Sequence, residues 1–408
     1  MGLDQIIIGI GGAGIRITES VLSLLHNEYL LTKDNSNSLP KNPFLYETKA
    51  GLKARAVLFD TDTDRLDAVM KGPIKSLIDP STCMSLGRFG TSVFSKTRYS
   101  IQDFKEPSSE SIRKIAEGSD KVESLVLFNS SYGGTSAGIL HGILNEKVLG
   151  DKVKYINFSL LPSPSISCGM LELLNFLPTF QLLESVSAHV YFDNERLFEI
   201  ASTQMGIKNA KFKHINNIIA QYFGAITSDI RYGTESSLFN TFTPLIPDQH
   251  RKILIPSYAP FGVPEEEVNP QQICAYLGEK IFQPSNTLNS VNLQHGDVIS
   301  CSVKFRGNVN PIEMTVIMKE IMAETRSFSN TNINTSFCEF KPKDVFEEFG
   351  SSPVDAVGLA NSSEIGRVLR QLIKTFDIPW AKRGYIYHHT WEGMEEGGFI
   401  EERQSLED

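Results

Sequence analysis

The chain has 408 residues, 41% of them hydrophobic and 21% charged; this is globular composition, and more chain than one hydrophobic core usually organises, so a small stapled scaffold and a disordered polymer are excluded. Lysine and arginine total 39 against 48 acids, a formal net charge of −9, which argues against a general nucleic-acid binder because phosphate contacts need a basic face. The five cysteines, Cys83, Cys168, Cys274, Cys301 and Cys338, are scattered without metal-ligand spacing and fit a reduced cytoplasmic interior. No basic region precedes Ile6-Ile7-Ile8, and no stretch of about 18 apolar residues occurs, so neither secretion nor a membrane span is expected.

In chain order, Gln5 to Gly9 reads as a short buried strand ending in glycines, and Ile15 to Tyr29 has apolar residues at helical spacing. Asn35 to Lys53 is polar, contains Pro40 and Pro43, and reads as a loop; Ala54 to Phe59 is a second strand, ending at Asp60. A third strand, Ser124 to Phe128, runs into another glycine-rich turn before a helical pattern from Ile139 to Leu149. Val153 to Leu161 and Val190 to Phe192 are further strands, and Asp193-Asn194-Glu195 opens a helix. This alternation predicts an open parallel sheet with ligands at the carboxyl ends of its strands. A long helix is expected from Lys211 through Phe223. Strands at Arg251 to Ile255, Val298 to Phe305 and Ser336 to Phe340 then alternate with helices at Gln271 to Phe282 and Pro311 to Thr325, a second α/β layer. The end, Ser363 to Phe376 and Glu392 to Glu407, reads as helical and acidic.

Gly9-Ile10-Gly11-Gly12-Ala13-Gly14 matches GxGxxG between a strand and a helix, where backbone N–H groups can approach a phosphate. Alone it admits a dinucleotide, another phosphate ligand or a bare turn. The dinucleotide reading wants an acid roughly 20 residues on, whereas the first acid ending a strand is Asp60. The second glycine loop, Tyr132 to Gly138, also joins a strand to a helix, and two anion cradles suit a triphosphate. Asp60-Thr61-Asp62 offers carboxylates for a water-mediated Mg²⁺, or a helix cap before Arg65-Leu66. The eight histidines show no metal-binding grouping, and no Gly-x-Ser-x-Gly elbow occurs.

With these residues in view, the chain resembles the tubulin superfamily from about residue 5 to its end. The first loop is most similar to that of the bacterial division protein FtsZ. Ser130-Ser131-Tyr132-Gly133-Gly134-Thr135-Ser136-Ala137-Gly138 resembles the tubulin signature GGGTGSG, Leu161-Pro162-Ser163-Pro164 its VPSP segment, and Phe192 to Ile200 its DNEALYDI helix start. Tyr258-Ala259-Pro260, His295-Gly296, Phe305-Arg306-Gly307 and Trp391-Glu392-Gly393-Met394-Glu395-Glu396 follow in the family's order. The resemblance implies an α/β fold with a nucleotide-binding GTPase domain over 1–210, a core helix and intermediate α/β domain over 211–350, and a C-terminal helical region over 351–408.

Carried over by position, the resemblance implies that Gly9, Ile10, Gly11, Gly12 and Gly14, with Ser130, Gly133, Gly134, Thr135 and Ser136, surround the phosphates of GTP or GDP, and that Asp62 is the Mg²⁺-associated acid. Glu172 matches the ribose contact, Asn194 and Asn216 the guanine-reading asparagines, and Phe212 the ring stacked on the base. An amide offers the donor and acceptor that separate guanine from adenine, and an aromatic ring offers a stacking face. Taken alone, Asn194 can equally be a helix cap and Phe212 a core residue.

The departures are Tyr132 for the first signature glycine, Ser136 and Ala137 for the Gly-Ser after Thr135, and Ile10 for a glutamine. Members of the family complete the active site between subunits with an acid on a neighbour's loop; an ungapped count back from Leu245-Ile246-Pro247 puts Asn240 there, with Glu235 the nearest acidic substitute. An amide can orient water but cannot be its base. The resemblance therefore implies head-to-tail polymerisation in a cytoplasmic cytoskeleton, with itself or with a paralogue carrying the acid; a non-polymerising regulator or assembly factor is the alternative. Thr32 to Lys53 and Gln283 to Gln294 match lateral-contact loops. Glu395 to Asp408 holds six acids and one arginine, without the long glutamate-rich tail of eukaryotic tubulins, and a prokaryotic or archaeal relative is expected.

Overall fold

The computed structural model describes residues 3–35, 42–49, 51–85, 87, 92–100, 102–162, 170–233, 237–248, 250–262, 270–324, 326–328, 331–342, 344–349 and 352–407. They fall into two compact units, one of Met1–Glu19, Pro43–His189 and Arg367–Asp408, the other of Ser20–Asn42 and Val190–Gly366.

The N-terminal part runs β1 (Asp4–Ile10), α1 (Gly11–Asn35), β2 (Leu45–Thr48), β3 (Gly51–Ala54), β4 (Ala56–Asp60), α2 (Thr63–Lys71), β5 (Cys83–Ser85), α3 (Phe94–Ser100), α4 (Gln102–Glu117), β6 (Val122–Ser130), α5 (Gly134–Glu146), β7 (Lys154–Leu161) and α6 (Met170–Gln181). In the first unit the strands order as β7-β6-β1-β4-β5, parallel throughout, with Ile7 opposite both Ala56 and Val126. Strands buried on both faces can be continuously apolar, which is why Ile6 to Ile8 and Leu125 to Phe128 read as unbroken runs. Period-two alternation then sorts the side chains: Ile6, Ile8, Ile10, Val57, Phe59, Leu125 and Leu127 form one core with Ile139, Leu140 and Ile143 of α5. β1 and β6 are neighbours, so their carboxyl ends bring the two glycine loops side by side.

The chain continues through β8 (Ala188–Asp193), α7 (Asn194–Thr203), α8 (Phe212–Ile226), α9 (Ser228–Tyr232), α10 (Phe239–Phe242), β9 (Ile253–Ala259), α11 (Pro270–Lys280), β10 (Val298–Arg306), α12 (Pro311–Glu324), β11 (Asn332–Cys338) and β12 (Asp355–Ser362). In the second unit β11-β10-β12-β9 form a mixed array: β10 is parallel to β11 and antiparallel to β12, and β12 is antiparallel to β9. α8 is buried from Ile215 to Ile226. Buried charges tie these elements: Arg306 pairs with Asp355, which also accepts from Tyr258 Oη at 2.9 Å, and Lys304 pairs with Asp229 at 2.8 Å. Three helices, α13 (Ile365–Ala381), α14 (Ile386–Thr390) and α15 (Glu396–Glu407), close the chain, with α15 against α6 in the first unit.

Three expectations change. The loop expected over Asn35 to Lys53 contains the antiparallel pair β2/β3, turned at Gly51 with φ +119°. β12 had no expected counterpart and sits inside the second array. α1 begins at Gly11 and α5 at Gly134, both earlier than the apolar periodicity, because the first turn of each is the glycine loop itself. Among the described residues no helix is long and apolar enough to cross a membrane.

Candidate functional site

At the end of β1 the backbone turns at Gly11 with φ +68°, a left-handed conformation that glycine alone adopts freely. A Cβ there would stand 2.5 Å from Ser136 Oγ, and one on Gly9 would stand 2.6 Å from Thr18 Oγ1. At Gly14 it would overlap the carbonyl oxygen of Phe128 in β6. Gly11 and Gly14 let the two strand-to-helix turns pack in contact, while Gly9 lets β1 lie close against α1 and β4. Gly12 differs: the nearest neighbour to a Cβ there is Arg65 Nε, at 3.8 Å. Ser136 Oγ donates to the Ile10 carbonyl at 2.9 Å, joining the two loops directly.

α5 starts without a side-chain cap, because its N-cap position is Gly133. Its first-turn N–H groups therefore lack the usual side-chain acceptor, and the helix dipole favours an anion there. A Cβ on Gly134 would meet the Ser92 carbonyl carbon at 2.5 Å, so that turn too is held close to its neighbour. Ser130 is 5% exposed and its hydroxyl has no hydrogen-bond partner among the described residues. A buried orphan hydroxyl at the mouth of an uncapped helix fits a bound oxyanion, since burial without a partner is costly.

Thr61 and Thr135 share a hydroxyl hydrogen bond at 3.0 Å, linking the end of β4 to the second loop. Asp60 accepts from the N–H of Thr61 at 2.7 Å and of Asp62 at 3.3 Å. Burial is the largest influence on its carboxyl and pushes it above its ordinary range, against those hydrogen bonds and the charge of Arg65. Asp62 is the N-cap of α2, accepting from the Asp64 N–H at 3.0 Å. Among the described residues no cluster of three His, Cys, Asp or Glu forms a metal site. One or two carboxylates beside phosphates is the donor set Mg²⁺ ordinarily takes, so Asp62, with one oxygen in the cap, is compatible with it. Arg65, one turn into α2, is a cation beside the first loop that no motif flags.

Glu172 lies half-buried in the first turn of α6. In the second unit, Asn194 is the first residue of α7 and 4% exposed; the cap is Asp193, whose carboxylate accepts from the Glu195 N–H at 2.9 Å. Phe212 opens α8 and is 49% exposed, edge-on to Phe198 at 5.4 Å between ring centroids. It is not a core residue. Asn216 is buried four residues later, so it shares a face of α8 with Phe212. Asn240 is exposed on α10, its N–H donating to Ser237 Oγ at 3.3 Å. Glu235, Pro164 and Cys168 lie outside the described residues.

Comparison with known proteins places two family descriptions on the chain: residues 5–202 match the "Tubulin/FtsZ family, GTPase domain", and residues 247–374 match the "Tubulin C-terminal domain". The chain is similar to the tubulin alpha-2 chain of Eleusine indica, 27% identical over 424 aligned positions that take in 99% of this chain and 95% of the relative. The expected prokaryotic or archaeal origin finds no support in that match.

Proposed function

Because the chain belongs to the tubulin superfamily and is a GTP-binding, tubulin-like protein, we propose that it is a cytoskeletal subunit that polymerises head to tail, with GTP hydrolysis completed at the subunit interface. The observation that supports this most is the pair of interlocked glycine turns with an uncapped α5 and an orphan Ser130 hydroxyl beside it. The N–H groups of Gly11 to Gly14 and of Gly134 to Ser136 hold the phosphates; Glu172 contacts the ribose. Asn194 and Asn216 read the guanine edge, and Phe212 offers its exposed ring as the stacking face. Asp62 is the residue that would hold Mg²⁺, which when bound would supply positive charge beside the phosphates.

Hydrolysis needs a group on the neighbouring subunit to activate water. Asn240 stands in that role and can orient water without accepting its proton. The chain therefore polymerises with a paralogue that supplies the acid, or alone with slow turnover. The exposed amide also supports a second reading, a tubulin-fold regulator or assembly factor that binds GTP and does not polymerise.

Negative-stain electron microscopy of the purified chain with GTP, GDP and a non-hydrolysable GTP analogue, with phosphate release followed in parallel, separates these readings. Filaments with the analogue support the polymer. Nucleotide binding without filaments, alone and with an acid-bearing paralogue, sinks it in favour of the regulator.

A further inference from the structure

All the residues in this inference lie within the first unit. A methyl group on Gly12 would have one neighbour within 4 Å, the Nε of Arg65. The space over the backbone of Gly12 is thus otherwise open, and Arg65 stands at its side. Arg65 is half-buried and forms no hydrogen bond or ion pair among the described residues. Its charge reaches Arg16 on α1, where it adds to burial in lowering that guanidinium. Arg65 follows the carboxyl end of β4 in the first turn of α2, and its guanidinium lies beside the start of α1 with no donor spent on a described residue. A half-buried arginine next to a second arginine is repelled, and it gains most from a multiply charged anion that both the loop and the guanidinium can touch. The independent sign of an anion there is the buried, unpartnered Ser130 hydroxyl beside the uncapped start of α5.

We propose that Arg65 is a specificity-determining residue for the phosphate chain, a cation supplied by the same subunit that makes the site prefer nucleoside triphosphate over diphosphate. This rests on the nucleotide reading of the glycine loops. Main-chain donors grip each phosphate they reach, whereas one side-chain cation on the open side of Gly12 adds its attraction where the extra charge of a triphosphate lies. Arginine suits the task because its planar fork can donate two parallel hydrogen bonds to one phosphate.

The test is binding, not turnover. Nucleotide-free protein is titrated calorimetrically with GDP and with a β,γ-methylene GTP analogue, for the wild type, Arg65→Ala, Arg65→Lys and Arg16→Ala. The expected result is a loss of about tenfold or more in analogue affinity for Arg65→Ala, with GDP affinity changed by about twofold or less, as for removal of a charge-assisted hydrogen bond. Arg65→Lys should recover part of the preference, and Arg16→Ala should leave the analogue-to-GDP ratio as it was. Equal losses for both nucleotides, no loss, or the same shift in ratio from Arg16→Ala would overturn the proposal while leaving the site reading intact. A wild type that binds neither nucleotide would overturn both.

Discussion

Gly12 and Gly14 are two positions apart in one turn, yet their hydrogens face different constraints. A Cβ on Gly14 would overlap the Phe128 carbonyl oxygen, and β6, paired on both sides by β1 and β7, has no room to retreat. Gly14→Ala is expected to destabilise the fold by about 3 kcal/mol, at the upper end of overpacking costs. Gly12→Ala meets only Arg65 Nε at 3.8 Å, and within a helix alanine is favoured over glycine by roughly 1 kcal/mol. It should keep or raise the melting temperature while lowering GTP affinity about tenfold, because the methyl group takes the space through which a phosphate reaches the backbone. Thermal unfolding of both variants, followed by nucleotide titration of the stable one, checks the pair. Equal melting temperatures would mean that the two turns are not packed as described. Unchanged affinity in Gly12→Ala would remove that residue from the phosphate site.

Among elements, α15 carries a buried group that titrates. Glu402 is buried, one carboxylate oxygen has no partner among the described residues, and burial pushes its carboxyl up to about 8, opposed by Arg98 on α3 and reinforced by Glu401 on α15 itself. His389 on α14 is also buried; its Nδ1 is 3.2 Å from Ser95 Oγ, its Nε2 has no partner among the described residues, and burial, with His388 adding to it, lowers it to about 4. The two act in opposite senses. The folded chain keeps a proton on Glu402 that the unfolded chain releases, so this contribution is complete below the ordinary carboxyl value near 4.5 and is lost as pH rises through about 8. The folded chain keeps His389 neutral, so that contribution is present above its ordinary value of 6.5 and is lost as pH falls through about 4. Between 6.5 and 8 only the Glu402 slope remains, and stability should fall by up to about 1.4 kcal/mol per pH unit. Urea unfolding at intervals across that window should show the fall, and Glu402→Gln should flatten it; a wild type with no slope there contradicts the buried-carboxyl account.

The buried pair that joins β10 to β12 makes a different demand. Asp355 takes charge from Arg306 and a hydrogen bond from Tyr258 of β9, so one carboxylate joins three strands. Asp355→Ala leaves Arg306 buried and uncompensated and should cost about 3–5 kcal/mol. A denaturation midpoint within error of the wild type would show that the strands hold without it. β12, which carries Asp355, was not visible in the sequence because Asp355–Ser362 is built largely of small residues rather than a β-branched run. Gly358 is small for a packing reason: a Cβ there would stand 2.9 Å from Phe282 Cε1. The β2/β3 pair was hidden for another reason, since Glu47 and Thr48 are exposed and the short strands show no apolar face. β1, β4 and β6 were legible because burial on both faces leaves its mark in every residue. The glycine loops were legible through their spacing. Arg65 was not, because only the folding of α2 beside Gly12 gives that arginine a meaning.

For the whole molecule, the question is whether one kind of chain suffices to build a working polymer. A head-to-tail contact is heterologous: one surface of each subunit meets a different surface of the next, and repetition gives an open filament. If hydrolysis is completed across that contact, the chemistry at each nucleotide is set by the neighbour's loop, and in a filament of this chain alone every neighbour offers Asn240. Such a filament should assemble with GTP and hydrolyse it slowly. Asn240 is exposed on the short helix α10, so its side chain can be changed without disturbing a core. Asn240→Glu places a proton acceptor where the amide stood, and a positioned general base is worth about 10²–10⁴ in rate. Phosphate release per assembled subunit should rise at least about tenfold, allowing for imperfect placement, and should do so only above the concentration at which filaments pellet. A rise that is independent of assembly would place Asn240 beside its own nucleotide instead of its neighbour's. No rise in filaments that form normally would take the residue out of the catalytic step and leave the acidic role to another group.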